Sequence, residues 1–231
     1  MKTTLILTLG LLTAVSGAAT AEDTVEPFAW GSLMLDLIAS GDATRGEEIA
    51  TKQKCSKCHG DAGIAEDDET PSIAGQVPAY QFKQLLDYKA EVRESKDMKK
   101  VTGKLGLQDM ADLAAYFATL PPEPPEGKAQ PPLLVTRGDL DRLLLPCNVC
   151  HGEKGSGLGF EVPAIAGQKI EHFVETMIAF REGDRQNDHY GRMRFIAGQL
   201  TEDEVAELAA YYAAPPSPET DEEEEEEKEG G

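Results

Sequence analysis

The chain has 231 residues, with 42 Asp and Glu against 22 Lys and Arg, a formal net charge of -20, and four cysteines. That length allows one large or two small domains, and the charge excludes nucleic acid as a partner. No stretch after the N-terminus approaches eighteen apolar residues, so none there reads as a membrane span. Residues 1–21 read as a secretory signal: Lys2, an apolar run over 5–15, then small residues ending Ala19-Thr20-Ala21. Cleavage after Ala21 would leave Glu22 first and place the protein in the periplasm; the alternative is an uncleaved anchor. Residues 22–40 form a helical extension in which Phe28, Trp30, Leu33, Met34, Leu37 and Ile38 share one face. That face either docks on the next unit or mediates a subunit contact.

The first compact unit covers residues 41–120. A helix over 41–54 leads into Cys55-Ser56-Lys57-Cys58-His59, an amphipathic helix covers 78–92, and a helix over 108–120 closes the unit with Met110, Leu113, Ala114 and Phe117 as its buried stripe. Residues 121–136, dense in proline, form a semi-rigid spacer. A second unit over 137–214 carries Cys147-Asn148-Val149-Cys150-His151. It ends in a helix over 201–213, where Thr201 and Glu204 make a capping box and Val205, Leu208, Ala209 and Tyr212 face inward; Gly106 takes the capping place in the first unit. No strand alternation appears, so the fold class is all-α. Residues 215–231 form an acidic tail, with nine acids against one lysine over 219–229. Such a tail cannot bury apolar surface and is expected to be disordered.

The two units are copies. The two C-x-x-C-H words stand 92 positions apart, as do Pro71 and Pro163, and Gly75 and Gly167; later pairs such as Tyr116 and Tyr211 stand 95 apart. C-x-x-C-H is the attachment word of a c-type haem. Cys55 and Cys58, and Cys147 and Cys150, would each form two thioethers to one porphyrin, with His59 or His151 beneath the iron. Two C-x-x-C pairs could instead hold one zinc ion, but zinc explains neither the histidine after each pair nor the duplication. Thioethers to haem are made outside the cytoplasm, so export agrees with this cysteine usage and the four thiols are not expected to form disulfides.

A carrier haem is usually six-coordinate, and methionine opposite histidine raises its potential. Met110 and Met177 lie on helical stripes and read as core. Met98 and Met193, one per unit and each leading into a helix, are the expected sixth ligands; His189 is the competitor for the second iron, while His172, aligned with Tyr80, reads as a packed or hydrogen-bonded ring. Pro71 and Pro163 each follow their histidine by twelve residues and begin a Pro-x-Ile-Ala-Gly-Gln stretch. Their carbonyls suit the acceptor that fixes the other ring N–H of an axial histidine. Units this small have little core of their own, so haem would supply much of it.

These residues resemble class I cytochromes c, and specifically the tandem dihaem proteins of the cytochrome c4 family. The resemblance rests on both C-x-x-C-H words, both Pro-x-Ile-Ala-Gly-Gln stretches, Lys83-Gln84-Leu85-Leu86-Asp87-Tyr88-Lys89, the segment from Gln108 to Phe117, and Phe180-Arg181-Glu182-Gly183-Asp184-Arg185. It implies two cytochrome c domains, each wrapped around one covalent haem c and joined by the proline-rich linker. It also implies axial pairs His59/Met98 and His151/Met193, and a periplasmic carrier between a respiratory donor complex and a terminal oxidase. No acid–base pair or activated nucleophile appears, so no catalytic residue is expected. Two further functions compete: a dedicated cytochrome subunit of a sulfide- or thiosulfate-oxidising dehydrogenase, and a dihaem peroxidase. Partners are expected to be redox proteins, with a basic docking surface facing this acidic chain; membrane association is at most peripheral, through such a partner. The tail serves either that docking or solubility.

Overall fold

The computed structural model describes residues 30–124 and 130–213. The signal segment, Phe28 and the acidic tail lie outside the described residues. Among the described residues eleven α-helices follow in order: α1 (Ser32–Ala39), α2 (Ala43–Gln53), α3 (Ser56–His59), α4 (Pro78–Lys89), α5 (Lys96–Thr102), α6 (Leu107–Thr119), α7 (Leu133–Thr136), α8 (Cys147–His151), α9 (Ile170–Glu182), α10 (Arg192–Gln199) and α11 (Glu202–Tyr212). The described residues hold no strand, only isolated bridges such as Asp139 with Leu144. No helix among them is long and apolar enough to cross a membrane.

The first lobe is built on the crossing of α2 and α6. Gly46 permits it, because a Cβ there would lie 2.1 Å from the carbonyl oxygen of Asp112. Asp42 caps α2 by accepting from the Arg45 amide, and Arg45 in turn forks onto Asp112 at 2.8 Å from both Nε and Nη2. The core beneath holds Phe82, Leu105, Met110, Ala111, Leu113 and Phe117, all nearly closed to solvent. Met110 is fully buried as core filling. Met34, Leu37 and Ile38 of α1 pack on this core, so the extension does dock on the first lobe. Two of its expected contacts differ. Leu33 points outward at 84 % exposure, and Trp30 reaches the second lobe, where it donates to Glu161 at 3.1 Å and packs on Phe160. The helix begins at Ser32, so Trp30 lies before it rather than on its face.

The second lobe repeats the plan with one loss. Where the first lobe has the eleven-residue α2, the second has a single turn, α7, followed by a tight reversal from Asp139 to Leu144. Gly138, at a positive φ of 67°, turns the chain there. Arg142 takes over the missing helix's work by joining this reversal to α11: it donates to Asp139 at 2.7 Å and forks onto Glu204 at 2.7 and 2.9 Å. Glu204 also closes the capping box with Thr201, as expected. The Arg142 bonds pull the Glu204 carboxyl from 4.5 to about 2, outweighing burial, which acts in the opposite direction. Because the folded value is depressed, the pair stabilises the lobe above pH 4.5 and is lost as pH falls through about 2. Glu204→Gln should therefore lower the second lobe's melting temperature by a few degrees at pH 7, with the gap to the parent closing as the melt is repeated toward pH 2.

The lobes meet along a hydrogen-bonded seam. Gln76 bonds the backbone of Ala164 and Gln168 bonds the backbone of Ser72. Lys83, Gln84 and Asp87 of α4 face Arg185 and Asn187 from the second lobe. Pro122 and Glu123 of the spacer lie against the two Pro-x-Ile-Ala-Gly-Gln stretches; a Cβ at Gly75 would meet Pro122 at 2.8 Å, and one at Gly167 the carbonyl of Glu123 at 1.9 Å.

Candidate haem centres

Each C-x-x-C-H word forms a short helix with a glycine at its end. α3 begins as α2 stops, with Lys54 at positive φ between them, and Gly60 turns the chain out after His59; Gly152 does the same after His151. None of the four cysteines is joined to another by a disulfide. Burial pushes the Cys55 and Cys147 thiols upward.

The two histidines are held alike. His59 Nδ1 lies 2.9 Å from the Pro71 carbonyl and His151 Nδ1 lies 3.0 Å from that of Pro163. A carbonyl can only accept, so each Nδ1 carries the proton and each Nε2 keeps its lone pair for a metal. Burial lowers both imidazoles' pKa values and keeps them neutral. The prolines are themselves pinned: the amides of Ile73 and Ala74 both donate to Gly63, and those of Ile165 and Ala166 to Gly155, at the same offset in each lobe.

In the second lobe the structure brings Cys147, Cys150, His151, Pro163 and Met193 to the wall of one cavity of about 330 Å3. Met193 stands on α10, half-buried against the second core. In the first lobe Met98 stands on α5, whose N-terminus is capped by Ser95 and whose end is tied by Thr102 Oγ1 donating to the Met98 carbonyl at 2.8 Å. Both methionines thus sit inside short helices that precede the closing helices of their lobes. His189 lines the same cavity as Met193 but lies 3.3 Å from Glu161 and against the Tyr190 ring. His172 bonds the Glu69 carbonyl of the first lobe at 3.2 Å. Its pKa falls to about 4, through burial first and then the nearby Arg93 and Arg185, so it is a packed, neutral ring.

The sequence reading missed the cavity's cationic wall. Arg93 and Arg185, 92 positions apart, stack over Tyr88 and Phe180 of their own lobes. Arg185 donates to Tyr80 and Gln84, and Arg93 donates to Gln84. Neither makes an ion pair among the described residues. Burial first, then Arg185, lowers the Arg93 pKa. The repetition of this arginine at the duplication offset was the available signal. The Tyr212 hydroxyl, buried on the same wall, has no hydrogen-bond partner among the described residues. Apolar rings, one buried and one half-buried guanidinium group, a free imidazole nitrogen and a thioether suit a metallated macrocycle that carries carboxylates.

The family model for cytochrome c matches residues 43–121. A cytochrome c4 from Thiocapsa roseopersicina is 35 % identical over 180 residues, covering 74 % of this chain and 91 % of that protein. The chain belongs to the cytochrome c4 family. The crystal structure of reduced recombinant cytochrome c4 from Pseudomonas stutzeri superposes with a TM-score of 0.70 at 30 % identity, covering 76 % of this chain and 99 % of that one. A thiosulfate dehydrogenase electron acceptor from Stutzerimonas stutzeri (strain A1501) is 30 % identical over 79 % of this chain and 92 % of its own length. As a cytochrome c4 relative, the protein is all-α, carries two covalently bound haem c groups, and transfers electrons to and from redox partners rather than acting as an enzyme.

Proposed function

We propose that the chain is an exported dihaem shuttle that carries single electrons between a respiratory donor complex and a terminal oxidase or other acceptor. Its lobes span residues 41–120 and 137–214. Cys55 and Cys58 hold one haem, and Cys147 and Cys150 hold the other. His59 with Met98, and His151 with Met193, would ligate the two irons, while Pro71 and Pro163 fix the histidine rings. The haem supplies the one-electron couple; the chain's residues set its ligand field, exclude water and keep substrates off the metal. The single observation behind this is the equal clamping of both imidazoles by a proline carbonyl, which leaves Nε2 free in each lobe.

A second reading has its own support, since one relative is named as the electron acceptor of thiosulfate dehydrogenase. On that reading this chain is the cytochrome subunit of such an enzyme. Affinity purification of the full chain from native periplasm separates the two: a shuttle elutes alone, a subunit elutes with a dehydrogenase. Partners of either kind are expected to present basic surfaces to the acidic chain. Deleting residues 219–231 should leave haem content unchanged and slow reaction with a basic partner several-fold at low salt, with the difference vanishing in high salt. An equal rate at low salt would assign the tail to solubility.

A further inference from the structure

We propose that Gln76 and Gln168 are positioning residues that each tune the haem of the opposite lobe, acting through the peptide that receives the proton of that haem's histidine.

Two neighbouring hydrogen bonds meet in one peptide group. The Pro71 carbonyl accepts from His59 Nδ1 at 2.9 Å, and the amide N–H of the same peptide, that of Ser72, donates to Gln168 Oε1 at 2.8 Å. In the other lobe the Pro163 carbonyl accepts from His151 Nδ1 at 3.0 Å, and the Ala164 N–H of that peptide donates to Gln76 Oε1 at 2.8 Å. Each glutamine also returns a bond, Gln168 Nε2 to the Ser72 carbonyl at 3.0 Å and Gln76 Nε2 to the Ala164 carbonyl at 2.9 Å. The two arrangements are copies at the duplication offset, and each crosses from one lobe to the other. Both glutamines lie in the seam, Gln76 at 8 % exposure and Gln168 half-buried, so water does not readily take their place.

The direction of the effect follows from how amides polarise one another. A peptide whose N–H is engaged carries more negative charge on its carbonyl oxygen and accepts more strongly. A stronger acceptor draws the Nδ1 proton away from the ring and makes the imidazole a better donor to its metal. Better donation favours ferric over ferrous iron and lowers the potential. Removing a glutamine should therefore raise the potential of the haem in the other lobe. The contact is reciprocal in structure but each branch addresses one iron, so two variants should give opposite assignments.

The inference rests on His59 and His151 being the axial histidines, so the experiment tests that first. In the full-length dihaem protein, Met98→His and Met193→His should each displace one of the two one-electron waves and so assign them to lobes. If neither wave moves, the ligand reading fails and not the proposal alone. With the waves assigned, Gln168→Leu should raise the first-lobe wave and Gln76→Leu the second-lobe wave. The expected size is an about threefold shift in the ferric–ferrous ratio, roughly 28 mV at 59 mV per tenfold. In the reduced protein the Nδ1 proton resonance of His59 should move upfield in Gln168→Leu, and that of His151 in Gln76→Leu. A purely structural role loosens the seam and shifts both waves and both resonances alike in either variant. That uncrossed pattern, or unchanged resonances in both, overturns the proposal.

Discussion

Met193→Ala will lower the reduction potential of one haem and leave the other where it was. The thioether is a soft ligand that favours ferrous iron, and axial identity governs haem potentials over roughly 0.8 V. Loss of the methionine should accordingly cost on the order of 100 mV or more at the affected centre. The fall should stay local because Met193 sits on α10, between the second core and the cavity that Cys147, Cys150 and His151 share. Haem content should be unchanged, since both thioethers remain. Met98→Ala should do the same to the other centre. Potentiometric titration reads both effects as one displaced wave out of two, and carbon monoxide binding to the reduced variant should rise where the sixth position opens. If Met193→Ala leaves both waves in place, the sulfur belongs elsewhere and His189, on the same cavity wall, becomes the ligand to test.

The parts of this molecule that read directly from sequence are those whose spacing is fixed by short-range chemistry. Two thiols and an imidazole must reach one macrocycle, so Cys55, Cys58 and His59 stand together and recur 92 positions later. Thr201 and Glu204 cap a helix by local geometry, and the structure bears that out. What stayed hidden depends on the other lobe. The helix expected as amphipathic over 78–92 runs Pro78–Lys89, and Gln81, Lys83, Gln84 and Asp87 on it are buried. Periodicity assigns such residues to solvent because it cannot see a second domain lying on top of them. The loss of α2's counterpart was legible only in part: Gly138 and Pro146 punctuate the segment, yet the three leucines from Leu143 to Leu145 suggest a core helix. Gln76 and Gln168 were visible as repeated letters within a repeated stretch, and nothing local to either one says that it reaches across.

Asp87→Leu should be the most damaging single change in the seam away from the two metal centres. Asp87 is 3 % exposed and its carboxylate accepts from Lys83 Nζ within its own helix and from Asn187 Nδ2 of the other lobe at 2.7 Å. Lys83 is 8 % exposed, and its remaining partner is the Asn187 carbonyl at 2.8 Å. Removing the carboxylate leaves a buried ammonium with a single neutral acceptor, a change that costs about 3–5 kcal/mol. The molecule can avoid that cost by letting the lobes part, which rehydrates Lys83 but exposes Gln84, Arg185 and Asn187 together. The expected result is a lower unfolding midpoint, a larger radius of gyration in solution scattering, and full haem content, because α3 and α8 are untouched. Adding Lys83→Met to Asp87→Leu should restore most of the lost stability, since a buried pair replaced by apolar groups of similar volume is close to neutral. A single variant as compact and as stable as the parent would mean that the Lys83 charge is hydrated in solution and that the seam is held by the glutamine pairs instead.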